Sequence, residues 1–147
     1  MTTPFQPHLT EIKVRGYHLD LYGHVNNARY LEFLEEARWG FTEDQGFLQW
    51  VIDSGLAFVI VNINIDYRRP AMMGEALLIE TAMKKVGNRS AVIHQTVKLK
   101  GTDTLIAQAD VTFVMFDGKR GSAVALDGEL RERFLSLPTW PEAAASA

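Results

Sequence analysis

Tyr17-His18-Leu19-Asp20-Leu21-Tyr22-Gly23-His24-Val25-Asn26-Asn27-Ala28-Arg29-Tyr30-Leu31-Glu32-Phe33-Leu34-Glu35-Glu36-Ala37-Arg38-Trp39 reads as extended chain, then a turn at Gly23, then a helix. Tyr30, Phe33, Leu34, Ala37 and Phe41 recur at the spacing of one buried helical face, while Glu32, Glu35 and Arg38 fall mostly off it. Asn26 or Asn27 is placed to cap the helix by accepting from a backbone N–H two or three residues on. Asp20 therefore stands a few residues before a helix N-terminus, where unpaired N–H groups and the positive end of the dipole favour negative charge. An acid beside an oxyanion-stabilising helix end is a device suited to cleaving an acyl group.

Moving outward, residues 1–9 carry two prolines and no periodicity, and are expected to be a loose tail. Thr10 to Leu19 alternates as a strand, with Ile12 and Val14 on one face and Lys13, Arg15 and Tyr17 on the other. Thr42 to Gly55 predicts a short second helical piece. Leu56–Tyr67 is a β-branched run with Val59, Val61, Ile63, Ile65 and Tyr67 on one side and Asn62, Asn64 and Asp66 on the other, stopped by Pro70. Three more strands, Ala76–Val86, Ser90–Lys100 and Thr104–Phe116, are separated by turn residues, so the sheet is expected to be antiparallel. Ser122–Leu126 can add to an edge, Asp127–Ser136 reads as a terminal helix, and the Pro/Ala-rich end is expected to fray. The expected fold is α+β: one domain over 1–147, with its core about 10–136 and an antiparallel sheet wrapped around one long central helix.

Composition narrows the function. A net charge of -3 gives no global field toward nucleic acid or an anionic membrane, so any anionic ligand has to be held by local Lys and Arg. The absence of cysteine excludes disulfides, thiolate metal sites and cysteine nucleophiles. No stretch approaches the ~20 apolar residues of a membrane helix. The first residues lack a basic start and an apolar run, so a cytoplasmic protein is expected. Neither G-x-G-x-x-G nor G-x-x-x-x-G-K occurs.

The segment Asp20-Leu-Tyr-Gly23-His24-Val25-Asn26-Asn27-Ala-Arg-Tyr30 resembles the Asp-x-x-Gly-His-Val-Asn-Asn-x-x-Tyr pattern of hotdog-fold thioesterases of the 4-hydroxybenzoyl-CoA thioesterase type. Tyr67-Arg-Arg-Pro70-Ala71-Met-Met-Gly74-Glu75 matches a second feature of that family. The run from Lys13 to Trp39, with Val61-Asn-Ile-Asn-Ile, is most similar to its bacterial long-chain acyl-CoA thioesterase III branch. The resemblance implies a hotdog homodimer, in turn a dimer of dimers (a homotetramer), with sites at the subunit interface. It implies an acyl-CoA thioesterase of fatty acid metabolism that releases free acid and coenzyme A. No cofactor is implied, since coenzyme A is part of the substrate. Asp20 matches the catalytic carboxylate, as general base or nucleophile, and backbone N–H groups near Asn26 and Asn27 would polarise the carbonyl. Many relatives carry a second acid two residues earlier, where this chain has His18. Plant acyl-carrier-protein thioesterases use Asp-x-Asn-x-His with a later Glu; here Asp20 and His24 match, Tyr22 replaces the Asn, and Glu36 stands at the Glu position.

The candidate catalytic residues are thus Asp20, His24, Asn27 and Glu36, and the candidate substrate-binding residues Gly23, Val25, Asn26, Tyr30, Arg68 and Arg69; no metal is expected. Each has a plainer alternative. Asp20 can be a loop acid satisfied by backbone N–H groups, His24 a turn residue, Asn27 a cap, and Tyr30 core packing rather than lining. Arg68 and Arg69 suit coenzyme A phosphates by their forked donors, or form a solvated edge. Tyr30, Phe33, Leu34 and Phe58 are expected to line the acyl cavity, and Asn62 and Asn64 to meet a symmetry mate or solvent. The rival functions are a hotdog enoyl-thioester hydratase or dehydratase using His24 with Glu36, and a non-catalytic acyl-CoA-binding domain.

Overall fold

The computed structural model describes residues 4–142. Strands β1 (His8–Lys13), β2 (Leu56–Tyr67), β3 (Ala76–Val86), β4 (Ser90–Leu99), β5 (Leu105–Asp117) and β6 (Ser122–Ala123) accompany helices α1 (Asn27–Asp44), α2 (Phe47–Ser54) and α3 (Gly128–Leu135). The strands form one sheet in the order β1-β3-β4-β5-β2, antiparallel throughout, with β6 added to β5. This is the hotdog arrangement expected from the sequence. The face of α1 bearing Tyr30, Phe33, Leu34, Ala37 and Phe41 is buried. It meets the inward residues of the sheet, among them Leu77, Ile79, Val97, Val111 and Phe113. Phe134 of α3 closes one end against Phe47 and Phe113, at ring separations of 4.8 and 5.6 Å. Each ring so buried contributes about 2–3 kcal/mol of transfer free energy. No helix among the described residues is long and apolar enough to cross a membrane.

Three local expectations are corrected. The first strand starts earlier and ends at Lys13, and Gly16–His18 forms a 3-10 turn instead of extending to Leu19. The cause is local: His18 Nδ1 accepts from Arg15 N at 2.9 Å, a bond that competes with a ladder. The ends are held rather than loose as far as they are described. The Phe5 ring packs 5.1 Å from that of Trp140, and Trp140 N–H and Nε1–H donate to the carbonyls of Met83 and His94. The frayed end expected over residues 143–147 lies outside the described residues. On β2 the register shifts between Ile60 and Asn62, so Val61 is an extra, bulged residue. One inserted residue reverses every later side chain. It keeps Ile63 and Ile65 on the side of Leu56 and Phe58, and it turns Asn62 and Asn64 to the exposed outer face.

Candidate active site

Asp20-Leu21-Tyr22-Gly23 is a tight turn, closed by Gly23 N–H donating to the Asp20 carbonyl at 3.2 Å. Gly23 sits at φ +76°, a conformation costly for any residue with a Cβ. The Asp20 side chain completes the turn. Its Oδ1 accepts from Tyr22 N at 2.8 Å and from His24 N at 3.2 Å, which leaves Oδ2 without a partner among the described residues. The carboxylate is thus fixed by one oxygen and presents the other.

The loop is tied to the helix and to a second turn. Asn26 caps α1 by accepting from Ala28 N at 2.9 Å, while its own N–H donates to the His18 carbonyl at 2.9 Å. Of the two amides expected to polarise a carbonyl, that of Asn26 is therefore occupied, and the Asn27 N–H remains. Val25 N–H donates to the Ala71 carbonyl, and Ala71 N–H donates to the Tyr30 hydroxyl at 3.0 Å. Tyr30 is buried, which pushes its phenol pKa up and keeps it protonated. Tyr67 Oη–H donates to the Asn27 carbonyl at 3.0 Å. The second sequence motif thus clamps the first.

Arg69 explains the remainder of that motif. Its guanidinium makes a bidentate pair with Glu75 at 3.2 and 3.0 Å, and Glu75 Oε1 also accepts from Met72 N at 2.7 Å. The Arg69 bonds hold the Glu75 carboxyl below the usual carboxylate range and raise the arginine. A depressed folded-state pKa contributes stability that is present above the ordinary glutamate value and is lost as pH falls through the folded one. Glu75→Gln accordingly flattens the loss of melting temperature below about pH 4, measured against the parent chain. An unchanged acid profile would show that the clamp adds nothing. Arg68 lies beside Asp66 at 3.7 Å and is exposed.

These elements surround a cleft of about 340 Å³ lined by Asp20, His24, Val25, Asn27, Tyr30, Arg68 and Arg69 together with Tyr67 and Pro70. Gly23 and Asn26 shape its rim through the turn and the cap. His24 lines this space, and its imidazole makes no hydrogen bond among the described residues. Glu36 is not brought to Asp20 within the chain. It opens onto a separate cleft of about 420 Å³ with His18, Lys13, Arg15, Arg29 and Glu32. His18 is buried between Tyr17 and Phe33, and burial, helped by Arg29 and Arg15 and opposed by Glu32, lowers its pKa. Tyr67 and Pro70 were not among the candidate residues, although both stand in the second motif.

The four residues expected to line an acyl cavity do not share one cleft. Tyr30, Phe33 and Leu34 pack in the core, with Tyr30 also lining the Asp20 cleft and Phe33 the cleft beside His18. The apolar space, about 360 Å³, lies on the other flank of α1, between α1, α2 and β2, and of the four expected residues only Phe58 lines it.

Comparison with known proteins identifies the family. Residues 14–141 match the thioesterase-like superfamily. The chain is 51% identical over 124 residues to the long-chain acyl-CoA thioesterase FadM of Escherichia coli strain K12, covering 84% of this chain and 94% of that one. It is 30% identical to the acyl-CoA thioesterase YbgC of Haemophilus influenzae, over 84% and 93% of the two chains. Its fold superposes on the crystal structure of YbaW, a probable thioesterase from Escherichia coli, with a TM-score of 0.83 at 50% identity over 86% and 95% of the chains.

Proposed function

This chain belongs to the thioesterase-like superfamily and is a thioester hydrolase, and from that premise we propose that its substrates are long-chain acyl-CoA thioesters, hydrolysed to free fatty acid and coenzyme A. The observation that carries the proposal is the Asp20 carboxylate, pinned through Oδ1 with Oδ2 free, in a cleft that also holds the start of α1. In this reading Oδ2 removes a proton from water or attacks the thioester carbon itself. The Asn27 N–H, aided by the positive helix end, receives the charge that develops on the carbonyl oxygen. A thioester is activated enough to need no Ser-His pair, and the proposed reaction uses no metal or redox cofactor.

A two-fold dimer completes the site. β2 is an edge strand of 12 residues whose Val59, Ile60 and Val61 are exposed. A long apolar edge is a template for pairing. Antiparallel self-pairing about the middle of β2 sets Tyr67 of one protomer opposite Leu56 of the other. The Asp20 cleft, which Tyr67 lines, then abuts the partner's apolar cavity, which Leu56 lines. Chemistry and chain binding are so divided between protomers, and pairs of dimers are the further step of assembly. A cysteine-free sequence needs no oxidising compartment, and a cytoplasmic location is part of the same proposal.

The test is thiol release over a series of acyl-CoA lengths, with an enoyl-CoA as a second arm. Release that rises toward long chains supports the reading. Loss of enoyl absorbance without free thiol would replace it by hydration, and tight binding without either would make the protein an acyl-CoA binder.

A further inference from the structure

The apolar cavity holds a charge. Trp39, Leu48, Val51, Leu56, Phe58 and Ile93 form much of its wall, and Arg38 lies among them. Burial lowers the Arg38 pKa, yet an arginine stays protonated in a protein. Glu35, one turn earlier, also lines the cavity at its exposed side and its charge opposes the effect of burial on Arg38, but among the described residues no carboxylate forms an ion pair with the arginine.

Its partner is a built one. Arg38 Nη1 donates to Gln95 Oε1 at 3.1 Å. Gln95 is 0% exposed, and its Nε2 donates to the Leu34 carbonyl at 3.0 Å and to Thr81 Oγ1 at 3.1 Å. Those two bonds settle which end of the amide faces α1, so the oxygen is aimed at the guanidinium by β3, β4 and α1 together. A guanidinium carries five N–H donors, and one is used here. The others have no partner among the described residues, and apart from Glu35 and Thr42 the side chains that line the cavity with Arg38 are apolar. A plain hydrocarbon tail in that space would strip water from the donors and return nothing. A tail bearing an acceptor oxygen would replace the lost water.

We propose that the cavity takes an acyl chain carrying a hydrogen-bond-accepting oxygen (hydroxyl, oxo or terminal carboxylate), and that Arg38, aimed by Gln95, is the specificity-determining residue that reads it. The inference rests on the acyl-CoA reading above and adds the class of acyl group. The shared chemistry is the acceptor oxygen, and a carboxylate is the strongest case because it takes two parallel N–H bonds.

The experiment compares thiol release from hexadecanoyl-CoA with release from sixteen-carbon acyl-CoAs bearing a hydroxyl, an oxo group or a terminal carboxylate, the first two varied in position. At the position that reaches Arg38, the parent enzyme is expected to favour the oxygenated chain by about tenfold or more in kcat/KM. Arg38→Met collapses that ratio by raising the plain chain and lowering the oxygenated one. Arg38→Lys, which keeps the charge and loses the fork, retains part of it. Because Arg38→Met can also disturb folding, a second measurement uses the parent chain alone: hexadecanedioic acid should raise its melting temperature more than hexadecanoic acid does. A parent ratio near one at every position, a ratio unchanged in Arg38→Met, or equal shifts by the two acids overturns the inference while leaving hydrolysis standing. If no acyl-CoA is hydrolysed at all, the functional reading falls first and this one with it.

Discussion

Asp20→Asn lowers kcat for acyl-CoA hydrolysis by about 10³-fold and leaves the melting temperature within about 2 °C of the parent. The carboxamide oxygen takes over both bonds that Oδ1 accepts from Tyr22 and His24, so the turn keeps its shape. What replaces Oδ2 is an NH₂ group, which neither removes a proton from water nor attacks a carbonyl carbon. Asp20→Ala removes both functions at once. It loses the rate and also leaves two turn amides without their acceptor, a cost of about 1–2 kcal/mol of the kind seen when a capping side chain is deleted. Thiol-release kinetics beside thermal melts of the two variants separate chemistry from scaffolding. An Asp20→Asn protein that turns over at the parental rate would reduce Asp20 to a turn former and move the chemistry to another residue, His24 first, since it lines the same cleft.

The legible and illegible parts of this molecule differ by the range of the interactions involved. The buried stripe Tyr30, Phe33, Leu34, Ala37 and Phe41 could be read because helical periodicity is local, and α1 buries those same residues. The Asn26 cap is equally local. The clamp of the second motif onto the first was visible only as a pattern of letters. Its meaning lies in bonds such as Tyr67 to the Asn27 carbonyl and Ala71 N–H to the Tyr30 hydroxyl, between positions about forty apart. The pairing of Arg69 with Glu75 is illegible for the same reason, because nothing local reveals that Glu75 folds back onto the arginine. The bulge at Val61 was hidden for another reason. Strict alternation puts Val61 beside Ile63, and the inserted residue becomes apparent only against β5, where Ile60 pairs with Phe113 and Asn62 with Thr112. The position of an apolar cleft is subject to the same limit. Apolar letters mark what is buried, and they do not say which flank of α1 the sheet leaves open.

Val61→Lys is expected to separate the β2-paired dimer into single chains of 16.5 kDa and to cut thiol release by at least about 100-fold, with Asp20 and its turn untouched. Val61 is 55% exposed on the unpaired edge of β2. Self-pairing about the strand centre sets it opposite the partner's Asn62, so the two introduced ammonium groups meet near the axis and repel. Light scattering reads the mass, and the same assay reads the rate. In the proposed dimer one protomer's acid works beside the other protomer's cavity, and complementation tests this directly. Leu48→Trp fills the apolar cavity while leaving Asp20 intact, and Asp20→Asn does the reverse; each homodimer is expected to be inactive. Dissociated and reassembled together, they form mixed dimers in which one of the two sites has a native acid facing a native cavity, and activity returns. If each chain contained its whole site, neither half of a mixed dimer could work. A mixture as inactive as its components would confine acid and cavity to the same chain, and a Val61→Lys monomer at full rate would show that the β2 edge has no part in catalysis.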